Sequence, residues 1–199
     1  RTFNKRLGFC CGPGSIEVTD SCYYAAGWAM DSTKGCQVVL VLAKIDTAGN
    51  VEQVTLYGDS NEITEAWQPT LQTDIDGNLI LAGDLVDSAI EQAVIVKFDS
   101  SGNVVWEKRH QSLFPLVRTN PPMQDSSTRT DDFIVAPDSS YVLAGTTIKG
   151  WQLTCFNRDR TVRWVRYIDC QWNFCFEHSI LKEDDGFVVG YYNGNANQT

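Results

Sequence analysis

The side chains of this chain that could do chemistry are few, and they do not converge. There are two histidines, His110 and His178. A hydrolase needs a nucleophile with a base in reach. No G-x-S-x-G elbow, Walker A loop or H-E-x-x-H helix supplies that context. Glu177-His178 is a lone pair of neighbours, too few ligands for a metal. A histidine without a partner motif is expected as a strand-end or surface residue. The chain therefore reads as a non-enzyme with no cofactor.

Three further sets of residues could bind rather than react. Asp46, Asp99 and Asn157 recur at one position of a repeat, as do Asp20, Asp76 and Asp138 at another. Regularly spaced acids could ligate calcium. Short acids and amides also accept backbone hydrogen bonds in tight turns, and that is the reading adopted. Trp106 and Trp164 also recur, and are expected to fill gaps between repeats. Trp28, Trp67, Trp151 and Trp172 fall outside the pattern and are the candidate ligand-facing surface, with a glycan as the ligand they suit. Arg158, Arg160, Arg163 and Arg166 lie in one hairpin and read as a solvated face.

Seven cysteines (Cys10, Cys11, Cys22, Cys36, Cys155, Cys170, Cys175) are many for a reducing compartment. None forms a paired C-x-x-C zinc pattern, so disulfides are expected, with Cys170 and Cys175 able to close a small loop. Asn197-Gln198-Thr199 matches the N-glycosylation acceptor pattern. Together these point to an extracellular or cell-surface protein. A net charge of −9 argues against nucleic acid as a partner. The longest aliphatic run, Val38 to Ala43, is strand-sized, far short of the roughly 20 residues that span a bilayer. A start at Arg1 without a signal-peptide core reads as a mature product or part of something longer.

The elements that position these residues are set by repetition. An acid, two loose positions, an apolar run and a glycine return four times, as Asp20 to Gly27, Asp76 to Gly83, Asp138 to Gly145 and Glu183 to Gly190. Three copies are followed by an apolar run, a polar turn and a second run, the pattern of a β-hairpin. The repeat glycines are 45 to 62 residues apart, which suits propeller blades. The expected class is all-β, a propeller-like array of four-stranded antiparallel blades, incomplete as given. Its units cover about 15–60, 64–110, 130–168 and a partial 174–199, with 1–14 as a segment that could supply a completing strand. In the middle unit the strands are expected at Trp67 to Thr73, Leu79 to Asp84, Ala93 to Asp99 and Val104 to His110. The proline-containing stretch from Gln111 to Thr130 is a loop. Gly49 and Gly102 suit a turn position of positive φ, which Arg160 enters only with strain, so the third turn is expected to differ in shape.

The motif K-x-D-x-x-G-x-x-x-W, met by Lys97, Asp99, Gly102 and Trp106, resembles the repeats of secreted β-propellers of the SBBP and PQQ-like kinds. Lys44, Asp46 and Gly49 match it with Gln53 in the tryptophan position; Asn157 and Trp164 match it without the lysine and glycine. The resemblance implies a propeller fold of six to eight blades, of which three and a half are present. Quinoprotein motifs carry a Thr before the Gly, where this chain has Ala48 and Ser101, so the resemblance does not extend to quinone chemistry.

The function expected is a secreted, non-enzymatic module for scaffolding or self-assembly, whose partner is protein joined through open sheet edges. A strand from a neighbour, or Thr2 to Phe9 of this chain or a copy, would complete the last unit. The alternatives are a carbohydrate-binding module using the irregular tryptophans, and a fragment of a larger propeller enzyme.

Overall fold

The computed structural model describes residues 10–31, 37–57, 69–87, 90–111, 129–147, 150–169, 175–183 and 186–193. They form strands only. The first sheet contains β1 (Cys10–Val18), β2 (Cys22–Asp31), β3 (Gln37–Asp46) and β4 (Val51–Tyr57); the second contains β5 (Thr70–Thr73), β6 (Leu79–Asp87), β7 (Ile90–Phe98) and β8 (Val104–Gln111). The third contains β9 (Arg129–Val135), β10 (Tyr141–Thr147), β11 (Gly150–Phe156) and β12 (Val162–Asp169), and the last described sheet is the pair β13 (Cys175–Glu183) and β14 (Gly186–Asn193). Each of the three larger sheets has its strands in sequence order, antiparallel throughout. The chain is all-β and propeller-like, with an incomplete fourth unit among the described residues.

The first strands of successive sheets touch, β1 with β5, β5 with β9 and β9 with β13. Gly14, at a bulge in β1, allows one such approach: a Cβ there would lie 2.7 Å from the carbonyl oxygen of Pro69. Because the second sheet stacks between the first and the third, its middle strands β6 and β7 are covered on both sides. Their sequences are accordingly continuous apolar runs rather than alternations. In the second sheet Leu79, Leu81, Val94, Val96 and Phe98 pack towards the first sheet with Leu40, Leu42 and Tyr24. Ile80, Ala82, Ala93 and Ile95 pack towards the third, with Phe133, Tyr141, Leu143 and Phe156. Phe98, Phe133 and Phe156 are almost wholly buried, each contributing about 2–3 kcal/mol of transfer free energy. Outer strands are different. β4 carries Glu52, β8 carries Glu107, Lys108 and Arg109, and β12 carries Arg163, Arg166 and Asp169, charges that discourage edge-to-edge pairing.

All the short described turns lie at one end of the array. The turns between β1 and β2, β3 and β4, and their counterparts in the second and third sheets share that end, because every pairing is antiparallel. The connections from second to third strand leave from the opposite end.

Candidate functional site

Five of these turns have one geometry. Residue four from the start donates its N–H to the first carbonyl, and the first N–H reaches the fifth carbonyl: Gly49 to Asp46, Gly77 to Asp74, Gly102 to Asp99, Ser139 to Ala136 and Arg160 to Asn157, at 2.8–3.0 Å. The fourth residue has positive φ in every one, 88° at Gly49, 77° at Gly77 and Gly102, 62° at Ser139 and 71° at Arg160. This is the three-residue hairpin loop with a left-handed last position. The turn at Arg160 was expected to differ in shape; it does not. The paired strands and a carboxylate impose the conformation, and Arg160 bears its cost.

The carboxylates hold these turns together. Where the left-handed residue is glycine, the acid is the first residue. Asp99 Oδ1 accepts from the N–H groups of Ser101 and Asn103 at 2.9 Å, and Asp46 Oδ1 accepts from Asn50 at 2.6 Å. Where it is Ser139 or Arg160, the acid is the third residue: Asp138 accepts from Ser140 N and Oγ, and Asp159 from Thr161 N and Oγ1. Hydrogen bonds from Asn50 hold Asp46 below its ordinary pKa, as those from Asn103 do for Asp99. The adopted turn reading thus holds for Asp46, Asp99 and Asp138. It needs correction for Asp76, Asp20 and Asn157, the last of which donates its Nδ2 to Thr161 Oγ1 while Asp159 accepts the backbone N–H. Asp74 caps the β5–β6 turn, accepting from Asp76 N and Asn78 N, while Asp76 points to cations. In the first turn Thr19 does the capping, its Oγ1 bonded to both the N–H and the carbonyl of Cys22.

Side chains cross both seams between the three larger sheets. Glu17 of β1 accepts from Thr73 N and Oγ1 at 3.1 and 2.6 Å. One sheet further on, Gln72 of β5 accepts from Val135 N and donates to Phe133 O, both at 2.9 Å. Outer hairpins reach back to the preceding sheet as well. Tyr24 donates to Ser100 O and Thr55 to Gly102 O, and Tyr57 donates to Glu107. Arg158 reaches Asp76 at 2.7 Å, Arg160 lies 5.6 Å over Trp106, and Phe156 meets the His110 ring edge-on at 5.2 Å. The four arginines of that hairpin are therefore engaged, since Arg163 pairs with Asp138 at 2.8 Å and Arg166 lies over Trp164.

The seam between the second and third sheets becomes polar away from the turns. Asp84, Gln152 and Thr154 are buried there. Gln152 donates to Thr154 Oγ1 at 2.9 Å, whereas its Oε1 and the Nε2 of His110 are buried without a partner. Burial, then the positive charge of Lys108, pushes the His110 pKa down. At the first seam, burial pushes the Cys22 thiol up, but hydrogen bonds from Thr19, Tyr24 and Ser21, with Lys44 nearby, leave it below its ordinary value. Burial and the contact with Cys22 push Tyr24 up to about 12. A shallow recess beside Tyr24 is lined by Leu42, Lys44, Gln53, Thr55 and Gly102.

The most unusual strand by sequence is β14. In each larger sheet the second strand is an apolar middle strand flanked on both sides. β14 is also mainly apolar, Gly-Phe-Val-Val-Gly-Tyr-Tyr-Asn, and has no charged residue. Among the described residues it pairs with β13 alone.

No family model matches this chain, and no curated protein does. A similar solved structure is a protein of unknown function from Bacteroides caccae. The likeness has a TM-score of 0.55 at 12% identity and covers 98% of this chain. The chain spans 61% of that protein's length. At this identity the likeness speaks to fold alone.

Of the tryptophans singled out as a ligand surface, Trp28 packs, partly buried, against the core between the first two sheets. Trp67 and Trp172 lie outside the described residues, and Trp151 is described only as a position in β11. Trp28 is thus the one of the four whose side chain the structure describes. Trp106 packs between sheets as expected, edge-on to Tyr141. Cys22 and Cys155 are free and buried. The Cys170–Cys175 pair and Asn197 fall outside the described side chains, as do Cys10, Cys11 and Cys36. The cross-seam roles of Glu17 and Gln72 had no signal in the sequence, since neither residue stands in a recurring motif.

Proposed function

We propose that the chain is a non-enzymatic module of the propeller type that acts by pairing with protein through an open sheet edge. One observation carries the reading: β14 is an uncharged middle-type strand with no third strand beside it among the described residues. An unpaired row of backbone donors and acceptors on such a strand is a template for an added strand. The charges on the outer strands β4, β8 and β12 oppose the same reaction there. The cysteine content and the Asn197 acceptor favour an extracellular or cell-surface scaffold.

The test uses two single substitutions, Val188→Pro and Val189→Pro. Adjacent N–H groups of a strand point to opposite edges, so one proline removes an outward donor and the other breaks the β13 ladder. Sedimentation of the purified chain is expected to give concentration-dependent association, lost in the outward-donor variant while its circular dichroism is kept. A monomer at every concentration, with slow exchange of all β14 amides, would overturn the reading.

A further inference from the structure

The first strands of the three larger sheets carry one repeated pair of backbone groups. The last pair of each first ladder is Val18 with Tyr23, Thr73 with Leu79 and Val135 with Tyr141. The turn beyond it is closed by the N–H of Thr19, Asp74 or Ala136. Antiparallel pairs alternate between bonded and non-bonded, so the N–H groups of Val18, Thr73 and Val135 point away from the hairpin partner. Two residues earlier, the carbonyls of Ile16, Leu71 and Phe133 do the same.

The preceding sheet fills this pair at both seams, each time with different chemistry. Thr73 offers two donors, its N–H and its hydroxyl, and both go to the carboxylate of Glu17. Leu71 O is met separately by Ser15 Oγ at 3.4 Å. Val135 has no hydroxyl. Its N–H and the carbonyl of Phe133, one donor and one acceptor, meet the carboxamide of Gln72, which accepts from the first and donates to the second. Two donors select a carboxylate, whereas a donor beside an acceptor selects an amide.

On the first sheet the same positions belong to Ile16 and Val18, which are 69% and 66% exposed. Like Val135, Val18 brings an N–H and no hydroxyl. We infer that Ile16 O and Val18 N form a docking site for a further sheet of this repeat type, whose first strand presents a glutamine and not a glutamate. The occupant is defined by that chemistry and by continuity with the two seams already built, whichever polypeptide carries it. The site is separate from the β14 edge and does not rest on it.

The probe is a cyclised peptide of residues 70–82, joined between Thr70 and Ala82, which face each other across the β5–β6 ladder. It carries Gln72 beside its own turn. Titrated into the 199-residue chain, it is expected to shift the Val18 amide resonance saturably. Gln72→Leu in the peptide, or Val18→Pro in the protein, should each weaken binding about tenfold. The proline removes an outward N–H and leaves the ladder with β2 intact. Gln72→Glu in the peptide should also bind more weakly, and should recover against Val18→Thr, which reproduces the arrangement at Thr73. Absence of a saturable shift at Val18, or equal binding of the glutamine and glutamate peptides, overturns the inference. So does slow exchange of the Val18 amide in the peptide-free chain, which would mean that the group is already bonded. Shifts confined to β14 would support the pairing edge of the proposed function and overturn this site.

Discussion

The ammonium of Lys97 on β7 lies 2.6 Å from a carboxylate oxygen of Asp74, the residue that caps the β5–β6 turn, and both side chains are largely buried. The pair ties a turn to the third strand of its sheet. Asp74 also accepts two backbone N–H groups, so its charge is met from several sides. Removing the ammonium would leave a buried anion with hydrogen bonds but no counter-charge.

Lys97→Met is therefore expected to cost about 3 kcal/mol of unfolding free energy, read from urea denaturation at neutral pH. Burial pushes the Asp74 pKa up, but Lys97 and the Asn78 N–H more than offset it and hold it below the usual carboxylate value. A depressed acid contributes stability that is present above its unfolded pKa and lost as pH falls through the folded one. Acid destabilisation below about pH 4 should be shallower in Lys97→Met than in the wild type.

Gln72→Leu removes both bonds across the seam between β5 and β9 and leaves Phe133 O and Val135 N without them. The expected loss is about 2 kcal/mol, again by urea titration. Gln72→Glu should recover the bond from Val135 N alone and fall between the two.

The left-handed turn residues should respond unequally to glycine. Ser139→Gly relieves a strained φ and is expected to stabilise by about 1 kcal/mol. Arg160→Gly relieves the same strain but gives up the contact with Trp106, worth about 0.5–1 kcal/mol. The two effects should nearly cancel. Thermal midpoints of the two variants would separate the cases.

His110 has a folded pKa lowered by burial, so the unfolded state binds a proton first as pH falls. Stability should decline as pH falls from about 6.5 towards the folded value. His110→Phe should abolish this part of the pH profile while preserving contact with Phe156. An unchanged slope between pH 7 and 5 would assign the effect elsewhere.

The sequence made the strand order legible because its apolar runs and turn glycines recur in phase. The turn acids Asp46, Asp99 and Asp138 were legible for the same reason; Asp20 and Asp76 were not, because Thr19 and Asp74 cap their turns instead. Asp74 rather than Asp76 caps its turn because the carboxylate one residue past the strand end faces the incoming N–H groups. Arg160 was misjudged on intrinsic φ preference, which the flanking strands override. The seams were not legible. Which of Glu17 or Gln72 crosses to a neighbour depends on the stacking of sheets some 56 to 63 residues apart in the chain, and no local pattern encodes that. The unpartnered Gln152 and His110 atoms were invisible for the same reason.

The main contacts between sheets join each sheet only to its neighbour in the chain. Stability in such an array is close to a sum of unit terms and nearest-neighbour coupling terms. Among the described residues the fourth unit, with two strands, has the least of its own and contacts from the third sheet. Loss of structure should begin there and pass inward one sheet at a time, so any chain that docks on β14 would act on the weakest link of the whole series.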